Sequence, residues 1–296
     1  MKLPAHILIP TIFMGSLMLM GMAGLPFMLF EETEPSPHFV AGLRLSLVGF
    51  LALMVGAIAN LKAPQKRKLT SADIKGWVYF AGLTVVGING SLTYAIIFLD
   101  DRMAMAIMLA AIGLIFIIYQ PVNPIAWLSA IFAAIGVFLI YFCTPDREAI
   151  NLIGVFAAIV GGTAQGLMYF RKLRLMPENI DPGIALGSAF LLGGITILLV
   201  AIYISPNSLA HTDYLSLLAG TFCSAAMTVI GWLILVYYTE VMSDSQKFAA
   251  ASLEPVGAAI TQFFRNGTPV IGESIGVIFL VASVYISVFL TRNTEQ

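Results

Sequence analysis

The fold class this sequence predicts is an all-α integral membrane protein: ten transmembrane helices arranged as two inverted five-helix repeats. Three observations predict it. Of the 296 residues, 59% are hydrophobic and only 10% charged, with a mean hydropathy of +0.93; soluble domains are about 45–50% apolar and about 25% charged. The apolar residues fall in ten continuous runs, each close to the length of about 20 residues that a helix needs to cross a hydrocarbon core about 30 Å thick. Lysine and arginine gather in alternate connections between the runs.

The first run, 6–30, follows Lys2 and is closed by Glu31, Glu32 and Glu34. It exceeds the 7–15 or so apolar residues of a signal-peptide core, so it is read as a span. The others are 39–60, 74–99, 103–119, 124–143, 152–170, 183–204, 214–238, 248–264 and 270–290. A β-barrel would need alternating segments of about 10 residues; these runs are unbroken and rich in Leu, Ile, Ala and Met. With the N-terminus inside, the cytoplasmic connections and adjoining helix ends carry Lys2, Lys62, Lys66, Arg67, Lys68, Lys75, Arg171, Lys172, Arg174, Lys247 and Arg292, and the outer ones only Arg102, Arg147 and Arg265. That asymmetry places both termini in the cytoplasm. A bacterial inner membrane is the expected location.

No extramembrane stretch is long enough for a separate soluble module. The chain divides near Pro145 into repeats 1–145 and 146–296, and five spans per repeat turn the second one over in the membrane. Aligning 136–140 with 282–286 brings Met108 and Leu109 opposite Glu254 and Pro255. The pairs Gly162/Gly166, Gly183/Gly187 and Gly272/Gly276 have the spacing that lets membrane helices approach closely. A net charge of −1 suggests no nucleic-acid partner. Cys143 and Cys223 read as packing residues. His6, His38 and His211 form no metal-ligand pattern, and no nucleotide loop or catalytic triad is present, so neither a cofactor nor enzymatic chemistry is expected.

One stretch stands out within the ninth span, where Glu254 and Pro255 interrupt apolar sequence. A charge near the bilayer centre costs roughly 2.5–3.5 kcal/mol on insertion scales, and a mid-helix proline removes a backbone donor. Helical spacing puts Ala251, Gly257, Ala258, Thr261 and Gln262 near the Glu254 face. Glu254 is therefore a candidate proton-coupling or amine-binding group; the competing reading is a carboxylate held in a polar contact beside the proline. Arg44 is the one cation deep within a span, able to meet a substrate anion or to snorkel outward. Asn89 and Thr93 share a face of the third span, with Tyr94 elsewhere on it; Gln165 and Tyr169 share one on the sixth; Thr221, Ser224, Thr228 and Trp232 run down the eighth. Each suits substrate binding or interhelical hydrogen bonding. Met14, Met18 and Met22 make a thioether stripe on the first span, fit for a pocket or for packing.

Residues 37–44, PHFVAGLR, resemble the arginine-bearing second helix of the EamA-like branch of the drug/metabolite transporter superfamily. Leu253-Glu254-Pro255-Val256 and Gly272-Glu273-Ser274-Ile275-Gly276 resemble that branch's ninth-helix proline motif and the G-E segment entering its tenth helix. In the first half the matching stretch 119–124, YQPVNP, lacks the G-E pair. The resemblance implies a secondary transporter with a cavity lined by spans one to four and six to nine, the fifth and tenth lying peripherally.

The function expected is export or exchange of a small amino-acid-like or amphipathic metabolite by alternating access, with protons as the candidate coupling ion. The candidate substrate-binding residues are Met18, Met22, Arg44, Asn89, Thr93, Tyr94, Gln165, Tyr169, Thr228, Trp232, Glu254 and Gln262. The expected partners are a small-molecule substrate and the lipid bilayer. Transport of anionic metabolites such as sugar nucleotides, phosphates or carboxylates is the alternative, ranked lower because such a substrate calls for more than one cation. A membrane-embedded lipid-handling protein is another.

Overall fold

The structure, a computed structural model, describes residues 5–22, 36–62, 69–99, 101–120, 124–142, 151–170, 179–204, 214–238, 241–266 and 271–286. Among them every regular element is helical: α1 (Ala5–Gly21), α2 (Pro37–Lys62), α3 (Ser71–Ala81), a π-helical stretch (Gly82–Gly90), α4 (Ser91–Phe98), α5 (Asp101–Tyr119), α6 (Pro124–Phe142), α7 (Leu152–Phe170), α8 (Pro182–Ile204), α9 (Tyr214–Tyr238), α10 (Asp244–Ser252), α11 (Glu254–Asn266) and α12 (Ile271–Tyr285). The outer part of the first predicted span, with Glu31, Glu32 and Glu34, lies outside the described residues. So do Lys2, Lys66, Arg67, Lys68, Arg147, Arg171, Lys172, Arg174 and Arg292 of the charge pattern.

Local chemistry explains where the helices begin. Proline opens α2, α6 and α8, at the position where its missing N–H is no loss and its fixed φ suits the helix. Thr70 caps α3: its hydroxyl accepts from the Asp73 N–H at 3.3 Å, and Asp73 Oδ2 accepts from the Thr70 N–H at 2.8 Å. Ser243 and Gln246 make the same reciprocal box at the start of α10, satisfying two donors that a helix start leaves over.

Two spans are less regular than their apolar runs suggest. The third becomes α3, the π stretch and α4 in one rod, Ser71–Phe98. Inside the π stretch, Asn89 Nδ2 donates to the Thr84 carbonyl at 2.7 Å, and Thr84 Oγ1 to the Phe80 carbonyl at 2.8 Å. The ninth span breaks at Leu253, one residue before Glu254 and two before Pro255. The Leu253 N–H turns back to the Ala250 carbonyl at 3.0 Å, and proline at 255 has no N–H to give the carbonyl four residues back, that of Ala251, so the regular ladder does not run on.

Among the described residues, five helices are long and apolar enough to cross a membrane: His38–Leu61, Ser71–Phe98, Leu152–Phe170, Pro182–Ile204 and Leu217–Tyr238. Their faces are also distributed inside out relative to a soluble protein. On α7 the buried side is Gly154, Ala157, Ala158, Gly161, Gly162 and Gln165, and the exposed side is Leu152, Ile153, Phe156, Ile159 and Val160. Water would penalise that exposed side by about 25 cal/mol per Å²; hydrocarbon does not. Both features are those of an integral membrane protein.

The chain forms two compact units, 1–22 with 90–172 and 238–296, and 23–89 with 173–237. In the first, the α10–α11 segment is central, touching α1, α5, α7 and α12; Phe248 to Ser252 and Glu254 to Ala258 are all buried. Beside it α6 and α12 run so close that a Cβ on Gly136 would lie 2.7 Å from the Gly276 carbonyl oxygen, and one on Gly276 equally close to that of Gly136. Ser129 and Ser283 bond across the same pair, each hydroxyl reaching the other's carbonyl at 3.0 and 2.8 Å. In the second unit α2 lies antiparallel against α8. A Cβ on Gly42 would meet the Leu198 nitrogen at 2.7 Å, and one on Gly56 the Ile184 nitrogen at 2.5 Å; Gly49 faces Leu191 and Gly187 between them. These are backbone-to-backbone contacts, the membrane substitute for a hydrophobic core.

Candidate functional site

In the first unit the structure joins three of the predicted residues. The Gln165 side-chain nitrogen donates to the Tyr169 hydroxyl oxygen at 2.7 Å and to Glu254 Oε2 at 3.2 Å. Gln165 and Tyr169 meet because they lie one turn apart on α7. Glu254 reaches them because the break at Leu253 starts a new helix, α11, with the carboxylate in its first turn. A negative charge in the first turn is favoured by the helix dipole, which offsets part of the cost of burying it. All three are nearly inaccessible, at 3% for Gln165, 2% for Tyr169 and 6% for Glu254.

Around this chain the packing is aromatic and small. Phe13 of α1 meets Tyr169 edge-on, with centroids 6.4 Å apart. Phe116 stacks on Phe248 at 4.6 Å and tilts against Phe170 at 5.3 Å. Ser252 closes the end of α10 by donating to the Phe248 carbonyl at 3.0 Å. Farther along α10, Lys247 pairs with Asp244 Oδ1 at 3.2 Å, and Gln120 Nε2 donates to Asp244 Oδ2 at 3.3 Å. Lys247 is 2% exposed, so it is a buried ion-pair member as well as a cation of the topology pattern.

Chemically, a carboxylate at position 254 has two hydrogen-bond inventories. Ionised, it only accepts; protonated, it also donates. Gln165 can serve either state, since its amide carries both donors and an acceptor. One proton gained or lost would therefore reorder bonds that link α7 to α11.

The remaining predicted residues of this unit are placed differently. Met18 on α1 and Met22 just past its end are half-buried, whereas Phe13, Ser16 and Leu17 of α1 are buried. Thr93 is half-buried on α4, and Tyr94 is exposed and stacked on Phe98 at 6.4 Å. The side chain of Gln262 lies outside the described residues.

In the second unit Arg44 is half-buried on α2, and Asn89 is buried within the π stretch. Thr228 donates to the Ser224 carbonyl at 2.8 Å. Trp232 is buried against Phe190, edge to face with centroids 5.0 Å apart. A polar cluster not foreseen from sequence ties this unit together at the start of α3 and α8. Asn179 Nδ2 donates to Asp73 Oδ2 at 2.8 Å, and the Tyr237 hydroxyl donates to Asp181 Oδ1 at 2.6 Å. Asp181 also accepts from the Gly183 and Ile184 N–H groups at 2.9 and 3.2 Å, capping α8. Its sequence signal was there to read, an acidic residue just ahead of a helix-opening proline.

No protein-family model matches the sequence, and no curated protein matches it. Among solved structures, one described as a crystal structure of a protein aligns over 97% of this chain and 99% of its own, with a TM-score of 0.71 at 14% identity. At that identity the likeness is one of fold, and it extends over essentially the whole of both chains.

Proposed function

We propose that this chain is a secondary transporter of small amino-acid-like or amphipathic metabolites, working by alternating access with Glu254 as the proton-coupling group. The observation that carries the reading is the buried Gln165–Tyr169–Glu254 chain beside a broken helix. An ionisable group buried among apolar helices is costly, and such groups mark ion or substrate pathways. A helix break at such a group is tolerated where protein or a water-lined cavity satisfies the freed backbone. The sequence resemblance to EamA-like drug/metabolite transporters points the same way.

The ten-span, inverted-repeat arrangement is part of this proposal, as are an inner-membrane location and cytoplasmic termini. Two packing relations support the repeat. The second and seventh predicted spans pack antiparallel as α2 and α8, and the fifth and tenth as α6 and α12; each pair occupies equivalent places in the two halves. Antiparallel contact between equivalent helices is what a two-fold axis in the membrane plane produces.

The test is flux in proteoliposomes across a metabolite panel, with and without a pH gradient. Wild-type protein should accumulate a substrate when the gradient is imposed and catalyse counterflow without it. Glu254→Gln should keep counterflow and lose accumulation. Gradient-driven accumulation by that variant would remove Glu254 from the coupling role, and absence of flux for every compound would remove transport itself.

A further inference from the structure

Among the described residues, two buried side-chain polar atoms have no hydrogen-bond partner: Ser224 Oγ and Trp232 Nε1. Both belong to α9 in the second unit. Ser224 is fully buried and Trp232 is 4% exposed. A buried helical hydroxyl ordinarily satisfies itself on a carbonyl one turn back. Ser46, Ser188, Thr221 and Thr228 all do so in this unit, and Ser224 does not. An indole N–H only donates, so nothing but an acceptor relieves Trp232.

The two atoms lie on one helical stripe, with Thr228 midway between their residues. Helical side chains lean toward the N-terminus, which carries the indole of Trp232 back over the turn that bears Thr228. The Thr228 hydroxyl spends its proton on the Ser224 carbonyl. Phe190 of α8 closes one side of the indole. One turn along α8, a Cβ on Gly193 would come 2.9 Å from Val85 Cγ2, so the π stretch abuts the neighbouring turn of the same helix. π-helical irregularities recur at functional sites. Orphaned buried donors are a standing cost to the folded state, and an acceptor arriving from outside the chain removes it.

We propose that Ser224, Thr228 and Trp232 form a subsite for an oxygen acceptor, a carbonyl or carboxylate, on the transported molecule. The stripe holds two unspent donors, one of them an indole N–H that can only donate, and no anionic group to pair with an ammonium, so it favours an acceptor over a cation. This rests on the transport reading above and gives its substrate a chemical class, a compound with a carbonyl-bearing end.

The test uses purified full-length protein carrying Trp77→Phe and Trp127→Phe, which leaves Trp232 as the sole indole of the three. The probes are L-leucine, L-leucinamide and 3-methylbutylamine, which share a branched body and an amine and differ in the acceptor. Leucine and leucinamide should shift Trp232 emission saturably and raise Tm, and the amine should bind about tenfold more weakly or not at all. Trp232→Phe keeps a ring against Phe190 and removes the N–H; without ligand its Tm should equal or exceed that of its parent, while leucine affinity, read for both proteins from the ligand dependence of Tm, falls about tenfold. Ser224→Ala should weaken leucine binding as well. No saturable response to any probe, an equal response to the amine, or unchanged leucine affinity in Trp232→Phe would each overturn the subsite. Binding without any transmembrane flux would instead sink the transport reading and leave the subsite standing.

Discussion

Gln165 Nε2 stands 2.7 Å from the Tyr169 hydroxyl oxygen and 3.2 Å from Glu254 Oε2, so a single amide ties its own helix to a carboxylate 89 positions further along the chain. Both of its donor hydrogens are engaged, and replacing the carboxylate has consequences that depend on what replaces it.

Glu254→Gln leaves an amide oxygen where Gln165 finds its acceptor, and its Tm should stay close to wild type. Glu254→Leu removes the acceptor and should cost about 1–3 kcal/mol, the range for stranding a buried polar group. Thermal unfolding of the two variants in one detergent checks this. A Leu variant as stable as the Gln variant would mean that the Gln165 bond contributes nothing to the fold.

The glycines of the α2–α8 contact should be intolerant in proportion to their geometry. Gly187→Ala sets a Cβ 2.5 Å from the Leu53 nitrogen and Gly56→Ala sets one 2.5 Å from the Ile184 nitrogen; each should lose about 1–3 kcal/mol as the helices are pushed apart. At Gly15 and Gly82 an added methyl would have nothing within 4 Å. Alanine there should be neutral, or stabilising by up to about 1 kcal/mol through helix propensity. Equal Tm losses at all four positions would contradict the close-contact account.

Ser129 and Ser283 offer a double-mutant cycle, because their hydroxyl oxygens also lie 3.0 Å apart, a contact that alanine at either position removes. Alanine at both should reveal a coupling of about 0.6 kcal/mol, the average for hydrogen bonds between membrane helices. Strict additivity of the two single changes would show that the hydroxyl–hydroxyl contact contributes nothing, leaving only the two separate bonds to the backbone carbonyls.

Asp73 carries two duties, the cap on α3 and the bond to Asn179, whereas Asn179 carries one of them. Asp73→Ala should therefore lower Tm more than Asn179→Ala, and the double variant should fall no further than Asp73→Ala alone. A fully additive double variant would separate the cap from the cross-contact.

The candidate site shows which relations are local enough to read in a sequence. Gln165 and Tyr169 share a face because a helix repeats every 3.6 residues, and that needed no structure. That this face meets Glu254 depends on α7 packing against the α10–α11 segment, which no local period encodes. Pro255 announces an irregularity, but its place, the single residue Leu253, is set by which carbonyls find donors. Lys247 reads as a cytoplasmic cation and also sits buried against Asp244, since composition counts charges without seeing their neighbours. The seven-residue spacing of Gly42, Gly49 and Gly56 is visible in the sequence; a four-residue spacing picks out Gly183 and Gly187 but passes over the partners that face them on α2.

The rod Ser71–Phe98 has a practical consequence for spectroscopy. Asn89 ends one compact unit and Gly90 begins a stretch of the other, so the passage between them falls at the last peptide of the π stretch, inside a continuous helix. Tyr79 and Tyr94 are both exposed on that rod, yet they belong to different units. A pair of labels at these two positions would therefore span the wide-turned segment between them, whose i→i+5 turns give a rise per residue unlike that of an α-helix.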